Sequence, residues 1–117
     1  MKLVFIIGPF RGATPLDVRR NVERARDLGL EVARLGAMPV IPQCNTAEFD
    51  KQLTDDFWLE GTRLLLSKCD AAVCCDGWQE SSGSKTEVKE CERIGIPCFG
   101  LVNPLRGLRR WLEEQGE

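Results

Sequence analysis

The chain predicts an α/β fold: a three-layer α/β/α arrangement around a four-stranded parallel sheet of the Rossmann/flavodoxin-like kind. Three observations predict it. Short apolar runs alternate with segments whose apolar residues recur at helical spacing, in the order β-α-β-α-β-α-β-α. The connections are short, so right-handed crossovers set consecutive strands parallel. The first apolar run, Leu3-Val-Phe-Ile-Ile7, shows no polar alternation, as expected of a strand covered on both faces.

The elements follow in order. Lys2–Ile7 reads as the first strand, and Gly8-Pro-Phe-Arg-Gly-Ala-Thr14 as a loop. Thr14-Pro-Leu-Asp17 supplies a cap, a proline at the first helical position and an acidic first turn. The helix carries Val18, Val22, Ala25, Leu28 and Val32 on one face and stops at Gly36. Met38–Ile41 is a second strand, closed by Pro42, and Gln43–Asp50 a polar loop. A helix over Leu53–Ser67 is expected to pack through Phe57, Trp58, Leu64 and Leu65. Asp70–Cys75 is the third strand, and a helix over 84–94 presents Val88, Cys91 and Ile94. Ile96–Val102 is the fourth strand, and Leu105–Glu114 a last helix using Leu105, Leu108, Trp111 and Leu112. A strand order 2-1-3-4 places the switch point between strands one and three. The loops Gly8–Gly12 and Asp76–Gly83 flank that point, so both face one cleft.

Composition bounds the function. The 117 residues, read as one domain over 1–117, are 43% hydrophobic and 29% charged, with net charge −2. That balance offers no basic patch for nucleic acid and no polybasic membrane surface. The apolar runs are far too short to span a bilayer. Six cysteines without any Cys-x-x-Cys pair or histidine give no metal spacing. Buried free thiols suit a reducing cytoplasm. Cys74 and Cys75, adjacent on a strand, point to opposite faces, and Cys44 falls in a loop. The absence of histidine leaves acid–base work to carboxylates, thiols, lysines or water. No cofactor or metal is implied.

Glu87 stands out. On a helix it lies four residues before Cys91 and seven before Ile94, on the inward face. A carboxylate there is costly to bury unless it is paired or working. Ser84-Lys-Thr-Glu87 also fits a capping box, which gives the same residue a purely structural role. In the first loop, Gly8, Pro9, Phe10, Arg11 and Gly12 precede a helix N-terminus. Free N–H groups there suit an anion, and Arg11 adds a planar fork for phosphate or carboxylate. The loop is neither a dinucleotide fingerprint nor a Walker loop. Ser81, Ser82 and Gly83 offer hydroxyls and N–H groups at a second helix start. Trp78 stacks on a base or packs locally, and Asp76 is a possible second carboxylate.

These residues carry a resemblance. Gly8-Pro-Phe-Arg-Gly12, Asn21 with Ala25, Gly36-Ala-Met-Pro-Val-Ile-Pro42, Cys69-Asp-Ala, Gly77-Trp78, Ser81-x-Gly83-x-x-x-Glu87 and Gly95-Ile-Pro are similar to the nucleoside 2-deoxyribosyltransferase-like superfamily, most closely to its DUF4406 group. The resemblance implies Glu87 as nucleophile on the anomeric carbon of a (deoxy)ribosyl group. The reaction is transfer or hydrolysis of a nucleoside or its 5′-monophosphate, and Arg11 tips the expectation toward the monophosphate. It implies a sugar and 5′-phosphate held by Gly8–Gly12 and Ser81–Gly83, and a base faced by Gln43 and Asn45. It further implies a homodimer or larger assembly, with Asn103 completing the neighbour's site. Relatives commonly carry aspartate where this chain has Thr62. Loss of that charge is expected to leave Glu87 more readily ionised and to remove a proton donor for the leaving base. The alternative is a nucleotide-binding or sensing module without turnover.

Overall fold

The computed structural model describes residues 1–45, 49 and 52–116. Four parallel strands, β1 (Leu3–Ile7), β2 (Met38–Val40), β3 (Ala71–Cys74) and β4 (Cys98–Phe99), form one sheet in the order β2-β1-β3-β4. This is the 2-1-3-4 order the sequence predicts. β1 pairs with β3 from Val4↔Ala71 to Ile7↔Cys74, and with β2 from Leu3↔Met38 to Phe5↔Val40. Both edges are short. β2 contains Pro39, and β4 follows Pro97 and pairs only through Ala72↔Cys98 and Val73↔Phe99. The fourth strand was expected to run to Val102. It stops at Phe99 because Leu101 and Val102, 79% and 91% exposed, have no neighbouring strand to pair with.

The helices begin where capping chemistry allows. For α1 (Pro15–Arg34), the Thr14 hydroxyl accepts from the Asp17 N–H and the Asp17 carboxylate accepts from the Thr14 N–H, both at 3.1 Å. The chain leaves α1 through Gly36, whose φ of +95° suits glycine. A single turn, α2 (Pro42–Asn45), replaces the start of the expected polar loop. Its Cys44 and Asn45 N–H groups bond back to the Ile41 carbonyl. Residues 46–48, 50 and 51, the rest of that loop and the residue after it, lie outside the described residues. α3 (Asp55–Ser67) starts two residues later than expected, because the Thr54 hydroxyl accepts from the Phe57 N–H and caps it. α4 (Ser82–Ile94) and α5 (Pro104–Glu114) complete the set.

Strand alternation sorts the core into two layers. Val4, Ile6, Val73 and Cys75 face α1 and α5, packing against Ala25, Val32, Leu108 and Leu112. Phe5, Ile7, Ala72 and Cys74 face α3 and α4, packing against Leu66 and Cys91. Cys74 and Cys75 thus lie on opposite faces, as their adjacency requires. Cys44 is half-buried and lies in the short α2 turn rather than in a loop. Among the described residues no helix is long and apolar enough to cross a membrane.

The close approach of β1 to β3 has a measurable consequence. A Cβ on Gly8 would sit 2.7 Å from the Cys75 sulfur and 3.0 Å from its Cβ, both in the buried core. Gly8→Ala is expected to cost about 1–3 kcal/mol by overpacking, read from urea unfolding. Adding Cys75→Ala should return part of that loss, since the nearest atom is then gone.

Candidate active site

Glu87 is placed by the helix that carries it, and its cap is not the one the sequence suggested. The α4 cap is Ser81, whose hydroxyl accepts from the Ser84 N–H at 3.2 Å. Ser84 therefore holds the third helical position. Glu87 lies three residues further on, in the second turn, where it cannot reach back to the cap. The capping-box reading of Ser84-Lys-Thr-Glu87 is corrected accordingly. Glu87 instead points to the α3/α4 layer, next to Val88 and Cys91, which pack in that core. Burial pushes its carboxyl up from 4.5 to about 8, with the Cys98 thiol a lesser cause. It has no hydrogen-bond or ion-pair partner among the described residues.

The first loop is braced from three sides. The Gln43 amide, 5% exposed, donates from Nε2 to the Gly8 carbonyl at 3.0 Å. Asn21 Nδ2 donates to the Phe10 and Arg11 carbonyls, each at 3.2 Å. Arg11 reaches α3, its guanidinium 2.8 Å from the Asp55 carboxylate, with both side chains mostly exposed. Gly12 admits no larger residue, since a Cβ there would lie 2.4 Å from the Asp17 Cβ. Pro9 and Phe10 are half-buried between these braces.

The second loop is tied down as firmly. The Arg24 guanidinium donates to the Asp76 carbonyl at 3.4 Å, while the Asp76 side chain is exposed. Gly77 turns the chain at φ +85° into one 3₁₀ turn over Trp78–Glu80. The Trp78 indole N–H donates to the Gly100 carbonyl at 2.7 Å, and its ring packs against the α3/α4 core. Trp78 thus packs locally. Ser82 and Gly83 are exposed on the first turn of α4. The Ser84 hydroxyl and the Gln43 Oε1 are buried without a hydrogen-bond partner.

The fold brings the two loops together, since they leave adjacent strands at the Ile7↔Cys74 pair and touch at Gly8 and Cys75. Asn103 stands apart. It begins α5, on the α1 side of the sheet, with left-handed backbone at φ 50° and an exposed side chain. It lines a shallow concavity of about 280 Å³ with Val102, Arg106, Gly107 and Arg110. A second concavity, about 420 Å³, lies between the end of β2 and α3, lined by Pro39–Pro42, Cys44, Asn45 and Leu65. Neither is lined by Glu87. Asp55, Arg24 and the bracing by Asn21 were missed at the sequence level, since each acts on a loop distant in the chain.

The family model described as "Domain of unknown function (DUF7768)" matches residues 2–100. It replaces the DUF4406 group, because short motifs at strand ends recur across a fold and do not sort its subgroups. No curated protein matches the sequence. Two solved structures are similar in fold. One is a 2-deoxyribosyltransferase from the psychrotolerant bacterium Bacillus psychrosaccharolyticus, with TM-score 0.61 and 14% identity over 84% of this chain and 70% of that one. The other is a 2-desoxiribosyltransferase from Leishmania mexicana, with TM-score 0.60 and 15% identity over 86% of this chain and 63% of that one. The chain therefore spans less than two thirds of the second relative's length.

The raised Glu87 carboxyl links stability to pH. The folded state holds this proton more tightly than the unfolded chain. Its contribution is complete below 4.5 and is lost as pH rises through about 8. At about 1.4 kcal/mol per unit the gap sets a ceiling of about 5 kcal/mol. Some exposure of the carboxyl reduces this, and about 1–3 kcal/mol is expected. Glu87→Gln, which cannot ionise, should be the more stable protein at pH 9, with no such loss between pH 5 and 9 by thermal unfolding.

Proposed function

We propose, for a chain that belongs to the DUF7768 family, that Glu87 cleaves the N-glycosidic bond of a nucleoside 5′-monophosphate. The observation that carries this is a half-buried, unpaired carboxyl in the second turn of α4, the helix that follows β3. The fold shared with 2-deoxyribosyltransferases supports it. In the reaction the ionised Glu87 oxygen attacks the anomeric carbon. The bond to the base breaks, and its electron pair leaves with the base, which takes a proton from Asp76 or water. Water, or a second base, then attacks the same carbon and frees Glu87. Loops 8–12 and 81–83 hold the sugar and phosphate through backbone N–H groups and Arg11, and Gln43 stands on the base side.

A second reading rests on the carboxyl's proton. With its pKa near 8, Glu87 is mostly neutral at pH 7 and donates a hydrogen bond rather than attacking carbon. The protein then binds a nucleotide without turnover. Release of free base from a panel of (deoxy)nucleoside monophosphates separates the two. If Glu87 is the nucleophile, base release should rise about tenfold from pH 7 to 9 as the carboxyl ionises, and Glu87→Gln should abolish it. Tight binding without base release at either pH favours the binding module.

The Arg11–Asp55 pair supplies a further check. A phosphate at Arg11 must displace Asp55, so Asp55→Ala should tighten monophosphate binding. Arg11→Ala should weaken it by about one to two decades, with little change for the matching nucleoside. Equal losses for both ligands by calorimetry would remove Arg11 from phosphate recognition.

A further inference from the structure

Four of the six cysteines share one layer of the core. Cys69, Cys74 and Cys91 are buried on the α3/α4 side of the sheet, and Cys98 packs against that cluster from β4. The Cys74 and Cys98 sulfurs stand 3.8 Å apart, a distance that a thiol hydrogen bond spans. Cys98 differs from the other three in access. It lies on an edge strand and is half-buried, whereas the others are buried. A sulfur open on one side and hydrogen-bonded by a thiol on the other has the surroundings of a reactive thiol rather than of a core filler.

We propose that Cys98 is an oxidation site for small hydroperoxides, forming a sulfenic acid that Cys74 does not convert to a disulfide. The Cys98 sulfur attacks one peroxide oxygen. An S–O bond forms as the O–O bond breaks, and the sulfur is oxidised by two electrons. The other oxygen departs as hydroxide, takes a proton from solvent and leaves as water.

The ionisation of the cluster supports this. Hydrogen bonding from the Cys74 and Cys91 thiols holds the Cys98 thiol well below its usual range, while those two are pushed up. The ionisable groups facing Cys98 are Cys74 from β3 and Cys91 and Glu87 from α4, with Cys69 beyond Cys91. No cation is among them, so thiol donors rather than an ion pair favour the thiolate. Cys44, the other half-buried thiol, is instead pushed up by burial.

The strand register decides the product. Cys98 pairs with Ala72, so Cys74 lies two residues further along β3. The residue beside Cys74 is Gly100, where a Cβ would stand 2.8 Å from the Cys74 sulfur. Strands about 4.8 Å apart, with a rise of about 3.3 Å per residue, put Cα atoms on this diagonal about 8 Å from each other. A disulfide needs them within about 7 Å. The two side chains therefore reach a hydrogen bond but not a covalent one, and the oxidised Cys98 awaits a thiol from outside the chain.

Trapping by dimedone with peptide mass mapping of the native protein tests the proposal. Under stoichiometric hydrogen peroxide at pH 6, Cys98 should take the label about tenfold faster than Cys44. The pH profile of Cys98 alkylation by iodoacetamide should have its midpoint below about pH 7. Cys74→Ala should move that midpoint up by about one pH unit, as loss of a hydrogen bond to a charged group requires. Cys74→Ser, whose hydroxyl still donates, should keep it low. The two wild-type measurements decide the matter if the alanine variant does not fold. Labelling of Cys44 as fast as that of Cys98 overturns the proposal. So does a wild-type midpoint at or above about pH 7, a midpoint unmoved by Cys74→Ala, or an internal disulfide in place of the trapped sulfenic acid.

Discussion

The parallel pairing of β1 with β3 is the contact on which the molecule depends. The two strands follow one another in space but not in sequence, so their junction requires one helical crossover to each side. At the start of the ladder, the Leu3 N–H donates to the Asp70 carboxylate and the Asp70 N–H to the Leu3 carbonyl, both at 2.8 Å. At its end the Cys75 N–H donates to the Ile7 carbonyl at 2.7 Å. A carboxylate thus fixes the register at one end, and a glycine against a thiol permits close approach at the other. A slip of one residue would turn Phe5 and Val4 to the wrong layers. With the register fixed, the loops after both strands are fixed too, and with them the position of α4.

The electrostatics of the site follow from that placement. α4 needs an inward face to cover the sheet, and Glu87 shares that face with Val88 and Cys91. The carboxyl keeps its proton because the groups around it are apolar or thiol, and the chain's cations stand elsewhere. Arg11 is engaged with Asp55, and Arg24 with the Asp76 carbonyl. The two loops are therefore tied to the rest of the fold by named hydrogen bonds, while burial holds the Glu87 carboxyl largely in its uncharged form at neutral pH.

Local chemistry made much of this readable in advance. Pro15 after Thr14, the unbroken run of β1, and glycines at 36 and 95 carry their own boundaries, because each depends only on neighbours in the chain. The strand order followed from short crossovers. What escaped depended on distance. Ser81 and Ser84 are equally good caps in isolation, and the 3₁₀ turn at Trp78, tied to Gly100, decides between them. Phe57 and Leu64 looked like core because spacing reveals an apolar stripe but not which side of a helix the sheet occupies. Gln43 is polar and near a strand end, and its Nε2 bond to the Gly8 carbonyl, 35 residues away, could not be read from its neighbours.

The sheet's two margins carry an implication for how such a molecule can grow. β2 is three residues long and contains Pro39, which has no N–H to offer, while β4 has two residues and follows Pro97. Neither margin presents enough free backbone to template an incoming strand. Fibril-like extension and strand exchange are thereby blocked at both sides. Any contact with another molecule falls to the helical layers, where side chains, rather than the sequence-blind backbone, choose the companion.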